Sequence, residues 1–466
     1  MKCFVRRVLL NDVSFCSIQS SYLLSLRKNR LGSIRSYHSD SIEGNLSDEP
    51  AQEEQRLSSH ETTKILRTHE ASVHLEVKCP VKYYEVNYLG ANNPPGMSIE
   101  AVSCFDSNMH LFGVFDGHGG PWCSDAICHR LFEYIAVSLN SPNDLETIMK
   151  KGRKITSSNR TPNARSSKTK EIHQINLLKH IEEVYTSFDA DNTDLISALE
   201  SAFVKLDRDI CAEAIPTPPQ PINEDLLDIS TAGSCACVAL VKDTDLYIAN
   251  CGDARAVLGT TDDHGNTIAV PLSIDHNIRN QNEVERVLSE HAPNESHSVI
   301  RSDRLLGLLM PFRAFGDIRL KWPLTALREY LQPYYKKGDA IPHFYLTPPY
   351  LTARPEITKH KITKKDKFLV LATDGLWDLL TSEKVVELIS NHQKGVQTIK
   401  NQPMDQNSAT DLIRHALAYT AKGKFDSKLL SDVLTFPNPR SIRDDITVTI
   451  VYFDQANLDQ YEDKQK

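Results

Sequence analysis

The chain has 466 residues, of which 40% are hydrophobic and 24% charged, with 19 glycines and 23 prolines. That balance supports a sizeable core and excludes collagen-like and Pro/Gly low-complexity chains. The net charge of −8 argues against a nucleic-acid binder, and no apolar run approaches the roughly 18–20 residues of a membrane-spanning helix.

Residues 1–39 carry Lys2, Arg6, Arg7, Arg27, Lys28, Arg30 and Arg35 against a single acid, Asp12, with frequent serines and short apolar clusters. A basic, Ser-rich, acid-poor and amphipathic start predicts a mitochondrial transit peptide, and with it the mitochondrial matrix as location. Asn11-Asp12 interrupts the early apolar stretch, which argues against a secretory signal. A basic arm without fixed structure is the competing reading. Residues 40–74, polar and of mixed charge, are expected as a linker. A folded unit is expected over 75–455, with insertions near 140–190 and 325–350, then a polar tail over 456–466.

Within that unit, β-rich apolar runs predict strands over His110–Phe115, Cys235–Val241, Leu246–Asn250, Phe368–Thr373 and Ile446–Phe453. Helical spacing of apolar residues predicts helices over Trp122–Leu139, Asp194–Ala212, Ser382–His392 and Ser408–Ala421. Short strand pairs joined by turns point to antiparallel sheets, and two packed sheets with helices outside fit the pattern. The run Lys150–Lys170 holds eight Lys/Arg and no acid, and reads either as a docking surface for an acidic partner or as a solvated loop. Glu329–Tyr350, rich in Tyr and Pro, reads either as one wall of a substrate groove or as a packed loop. The ten cysteines form no CxxC pair and no Cys/His zinc spacing, and are expected as reduced, mostly buried thiols.

The chemistry-bearing signal is a set of aspartates, each beside a strand and next to a small or polar residue. Asp116-Gly117-His118-Gly119-Gly120 follows one strand, Gly252-Asp253-Ala254-Arg255 another, and Thr373-Asp374-Gly375 a third. Arg443-Asp444-Asp445 precedes the last strand. Singly, each is an ordinary turn. Jointly, they can converge at one end of a sandwich. Unit charges about 4 Å apart, at an effective dielectric near 20, repel by roughly 4 kcal/mol, so such a group needs cations. Oxygen ligands without a Cys/His cluster favour Mg²⁺ or Mn²⁺ over Zn²⁺. Two such ions about 3.5–4 Å apart activate water and neutralise a phosphoryl group. Nucleotide-dependent and zinc hydrolase readings fit poorly, because neither GxxxxGK[ST] nor HExxH occurs.

The ordered strings Phe115-Asp116-Gly117-His118-Gly119-Gly120, Gly233-Ser234-Cys235-Ala236, Gly252-Asp253-Ala254-Arg255, Arg313-Ala314-Phe315-Gly316-Asp317, Ala372-Thr373-Asp374-Gly375-Leu376-Trp377-Asp378 and Asp444-Asp445-Ile446-Thr447-Val448 resemble the metal-dependent protein phosphatases of type 2C. The resemblance covers nearly all of residues 80–453. Arg304–Asp317, Leu131–Leu139 and Thr347–Ala353 are similar to a mitochondrial subgroup of that family, the pyruvate dehydrogenase phosphatases. The resemblance implies an α+β fold, a four-layer α/β/β/α sandwich of two antiparallel sheets flanked by helices. It implies a protein serine/threonine phosphatase with two Mg²⁺ or Mn²⁺, and a third ion at most. Asp116, the Gly117 carbonyl, Asp374 and Asp444 are the implied ligands, with Asp253 for the third ion. Hydrolysis by in-line attack of water, without a phosphoenzyme, is implied, with His118 as the general acid. A turn histidine capping the helix near Pro121 is the competing reading for His118. Arg313 is expected to brace its loop.

The implied partners are the phosphorylated pyruvate dehydrogenase alpha subunit, a lipoyl-bearing acetyltransferase core and a regulatory subunit, with Ca²⁺ at a partner interface. One stretch departs from the pattern. The family places a Glu-Asp pair on an early strand, whereas Ile99-Glu100 here is followed by Ala101-Val102-Ser103. Glu100 is the surviving candidate acid. The departure supports an alternative, a weakened or inactive phosphatase-like scaffold binding the same complex.

Overall fold

In the computed structural model, the described residues are 56–75, 79–91, 98–106, 109–141, 145, 157–158, 166–187, 194–216, 221–336, 338–399, 404–419, 424–456 and 458, with 98–106 and 157–158 described by backbone alone. The expected transit peptide and most of the basic run 150–170 lie outside them.

Two antiparallel sheets form the centre. One has the order β1 (Ala71–His74), β2 (Val81–Leu89), β15 (Ile446–Phe453), β14 (Asp366–Ala372), β8 (Arg255–Thr261), β9 (Thr267–Pro271). The other runs β13 (Glu356–Lys361), β7 (Asp245–Cys251), β6 (Gly233–Lys242), β4 (Met109–His118), β3 (Ser98–Asp106), β5 (Ser157–Ser158). A short strand β12 (Phe315–Gly316) adds to the start of β6, and β10 (Ile300–Arg301) with β11 (Arg304–Leu305) makes a separate small hairpin. Helices cover both outer faces, so the architecture is the four-layer α/β/β/α sandwich.

The period-two alternation of the strands builds the layers. On β4, Phe112 and Val114 face the other sheet and pack with Val86, Leu258, Leu371 and Val451. Leu111 and Phe115 face outward against the helix Trp122–Leu139 (α2), whose Ile127, Leu131 and Ile135 recur at helical spacing. Helices Leu195–Glu213 and Glu224–Thr231 complete that layer. On the opposite side, Phe368, Val370, Val448 and Ile450 pack against the helices Ser382–Gln393 and Ser408–Ala418. Burial of one large apolar side chain stabilises by roughly 1.5–3 kcal/mol, so the three apolar cores between the four layers carry most of the fold. The described cysteines carry no disulfide.

The stretch expected as a linker holds folded residues. Ser59–Leu66 (α1) is a helix with a capping box, Ser58 and Glu61 bonding each other's backbone N–H. Leu66 is buried in the outer core, and β1 pairs with β2 as the sheet edge. Mixed charge concealed these elements, because a short edge strand and a one-sided helix need few apolar residues. Glu329–Tyr350 belongs to a satellite core between β9 and β13, where Leu331, Tyr345 and Tyr350 are buried with Phe312 and Trp322. The Tyr350 hydroxyl donates to Glu295 at 2.6 Å and accepts the Leu346 and Thr347 amides at 2.8 and 2.9 Å. Among the described residues, no helix is long and apolar enough to cross a membrane.

Candidate active site

Three strand ends meet. Asp116 and Gly117 close β4, opposite Cys235 and Ser234 of β6. Asp253 follows β7 in a turn that needs Gly252: φ there is +114°, and a β-carbon would sit 2.2 Å from the Cys235 sulfur. Asp374 follows β14 and opens a one-turn helix, Asp374–Trp377. The Thr373 hydroxyl donates to the Asp445 carbonyl at 3.2 Å and accepts the Thr447 amide at 3.1 Å, fastening that turn to the entry of β15.

Carboxylate oxygens of Asp116, Asp253 and Asp374 lie within 4.8 Å of one another. The electrostatic consequence is visible in their acidities. Desolvation, then the Asp116 and Asp253 charges, push the Asp374 pKa well above the usual carboxylate range. Burial lifts Asp253 to about 6, while the Cys235 thiol, donating to its Oδ1 at 3.2 Å, works the other way. Asp374 Oδ1 is buried and has no hydrogen-bond partner among the described residues. Crowded oxygen donors, one of them unsatisfied, fit a hard divalent cation and suit neither a soft metal nor a salt bridge.

Asp444 is not in that group. Its carboxylate pairs with Arg440, and its Oδ1 accepts the Asp445 amide at 2.7 Å. Asp445 is buried, with Oδ1 bound to the Ala91 amide and Oδ2 without a partner among the described residues. Glu100 stands in β3 opposite Val114, while Asp116 is opposite Ser98; the Glu100 side chain lies outside the described residues.

His118 ends β4, and its Nε2 lies 2.6 Å from Oδ2 of Asp317. Burial alone would lower the His118 pKa; Asp317, then Asp116 and Asp253, outweigh it and raise it. The helix beyond His118 has Pro121 as N-cap, which makes no side-chain cap bond, and the His118 ring bonds instead to Asp317. In the sequence Asp317 stands out only as the end of Arg313-Ala314-Phe315-Gly316-Asp317, since its partner is 199 residues away. Arg313 braces its loop, gripping Glu283 and donating to the Arg354 carbonyl at 2.9 Å. Behind the site, Arg255 forks onto Asp275 at 2.8 and 2.6 Å and lies over the Trp377 ring.

A family model described as protein phosphatase 2C matches residues 163–425. Pyruvate dehydrogenase (acetyl-transferring) phosphatase 1, mitochondrial, from Bos taurus is 38% identical over 429 residues, spanning 82% of this chain and 79% of its own length. The phosphatase 2 of the same name from Homo sapiens is 36% identical over 452 residues, spanning 87% of this chain and 85% of its own. A solved serine-threonine phosphatase 2C from Toxoplasma gondii covers 82% of this chain and 99% of its own at 17% identity, with a TM-score of 0.44, too loose a superposition to argue from. The matched family is generally Mg²⁺- or Mn²⁺-dependent, and the acidic cluster answers to that chemistry. On the family match and the identity to these relatives together, the chain belongs to the protein phosphatase 2C family and is an enzyme of that class.

Proposed function

We propose that the chain is a Mg²⁺- or Mn²⁺-dependent protein serine/threonine phosphatase of the mitochondrial matrix that dephosphorylates the pyruvate dehydrogenase alpha subunit and so reactivates that complex. The observation that carries the chemistry is the meeting of Asp116, Asp253 and Asp374 from three strand ends. The names of the relatives support the substrate and the compartment. They are named as phosphatases, which favours the enzyme over the scaffold.

Asp116, the Gly117 carbonyl and Asp374 would hold the principal ions. Asp444 would join them on leaving Arg440, Glu100 would contribute from β3, and Asp253 would hold a third ion. When bound, the ions supply an activated water and neutralise the phosphoryl oxygens. The carboxylates, Asp253 buried and Asp116 and Asp374 half-buried, would hold the ions in place beside the substrate. His118 gives a proton to the departing seryl oxygen. Association with a lipoyl-bearing acetyltransferase core, a regulatory subunit and interfacial Ca²⁺ belongs to the same proposal.

The test is phosphate release from a phosphoserine peptide of the alpha subunit with and without Mn²⁺. Release that needs Mn²⁺ and is lost in Asp374→Asn supports the proposal. Metal-independent release, or release unchanged in that variant, overturns it.

A further inference from the structure

We infer that Asp317 is a positioning residue that fixes both the ring orientation of His118 and the nitrogen that carries its standing proton, leaving Nδ1 as the atom that hands a proton to the leaving oxygen. The inference rests on the reading of His118 as proton donor. Asp317 Oδ2 is 2.6 Å from His118 Nε2. An ionised carboxylate only accepts, so Nε2 bears the hydrogen in that bond, and the second ring nitrogen is the one free to exchange. The two side chains are 23% and 15% exposed, sheltered enough for the bond to hold its geometry against water.

The scaffold around the pair is built to present it. Asp317 has φ +51°, a left-handed conformation unusual for a residue with a β-carbon. It is held there by its own amide to the Ala232 carbonyl at 3.0 Å and by its carbonyl, which accepts the Leu320 amide at 2.8 Å. The preceding Gly316 amide donates to Asp207 at 2.9 Å. Asp207 is in turn pinned by Lys321 Nζ at 2.7 and 2.8 Å. On the other side stands Gly233, cross-strand from His118. A β-carbon at Gly233 would lie 2.0 Å from Asp317 Oδ2 and 2.2 Å from His118 Nε2. The missing side chain is the space in which the hydrogen bond sits. A carboxylate needed only to anchor its loop would require neither the left-handed backbone nor the gap opposite.

The step balances simply. As a water oxygen bonds to phosphorus, its proton passing to solvent, the phosphorus–seryl oxygen bond breaks and its electron pair goes to the seryl oxygen, which takes the proton from His118 Nδ1. The ring is left neutral with Nε2–H on Asp317, and Nδ1 regains a proton from solvent water.

The experiment compares wild type, Asp317→Asn, Asp317→Glu and His118→Ala in Mn²⁺ on a phosphoserine peptide and on p-nitrophenyl phosphate, whose phenolate departs without a proton. Asp317→Asn is expected to lower kcat on the peptide at least about tenfold more than on the aryl phosphate. His118→Ala shows the same selectivity, and Asp317→Glu, which keeps the carboxylate, recovers part of the loss. In the metal-free protein, ¹⁵N spectra of labelled histidine place the proton of neutral His118 on Nε2 in wild type, and Asp317→Asn loses that preference. Equal losses on both substrates in Asp317→Asn, beside selective losses in His118→Ala, overturn the inference. Spectra with the proton on Nδ1 in wild type also overturn it. Absence of selectivity in His118→Ala sinks instead the reading of His118 as donor, and the spectra then decide the role of Asp317 alone.

Discussion

Arg313 grips Glu283 with both arms of its guanidinium, Nε to Oε1 at 2.8 Å and Nη2 to Oε2 at 2.7 Å. Arg286 adds bonds at 3.0 and 2.6 Å to the same carboxylate. Burial by itself would raise the Glu283 pKa, and the two arginines overcome it and hold the group down to about 2. The folded pKa is depressed, so the stabilisation is complete above the ordinary value near 4.3 and is lost as pH falls through about 2. Relative to Glu283→Gln, the wild type should lose roughly 2–3 kcal/mol between pH 6 and pH 2. Urea unfolding across that range measures it, and parallel curves for the two proteins would refute it.

Asp374 sits among like charges. Without ions, its ionised form costs stability; with ions, it is a ligand. Asp374→Asn should therefore raise the melting temperature of the metal-free protein while abolishing most Mn²⁺-dependent turnover. Mn²⁺ at about a hundred times its dissociation constant should stabilise the wild type by roughly 2.7 kcal/mol. The variant should gain much less. Calorimetry with and without Mn²⁺ checks both signs, and an unchanged metal response in the variant contradicts the assignment.

Asp444 is engaged by Arg440, a residue 38% exposed. If Asp444 belongs to the metal site, Arg440 competes for its carboxylate. Arg440→Ala should then lower the Mn²⁺ concentration for half-maximal activity by up to about fivefold, the equivalent of roughly 1 kcal/mol for a surface ion pair. An unchanged titration would place Asp444 outside the site.

Gly252 carries the Asp253 turn. Gly252→Ala meets a sulfur at 2.2 Å and a left-handed backbone together, and should cost roughly 2–4 kcal/mol and weaken the response to Mn²⁺. Gly265→Ala is the control, since its β-carbon meets nothing within 4 Å and only its φ of +83° is strained. Denaturation midpoints of the two variants should differ clearly. A smaller loss in Gly252→Ala than in Gly265→Ala would contradict the packing argument.

The layered fold was legible because its strands carry their own signal. Cys235–Val241 is a continuous apolar run and Ile446–Phe453 a β-branched and aromatic one, each with strands on both sides, and the helix Trp122–Leu139 repeats its apolar residues at the right spacing. Edge elements such as Ala71–His74 have almost no buried side, so composition alone reads them as linker. At the site, Asp116, Asp253 and Asp374 were legible as turns beside strands. The bond between His118 and Asp317 was not, because it depends on β12 joining β6 and on the empty place at Gly233. Nor was the engagement of Asp444 by Arg440, a choice among neighbours that spacing does not determine.

Asp116 and Asp253 hang from strands of one sheet, whereas Asp374 hangs from β14 of the other. A cation captured by all three is therefore a rivet through both leaves of the sandwich. Chelation would unfasten the seam at one rim while the apolar filling between the leaves stayed in place, and a proteolytic piece holding a single leaf would keep only part of the ligand set.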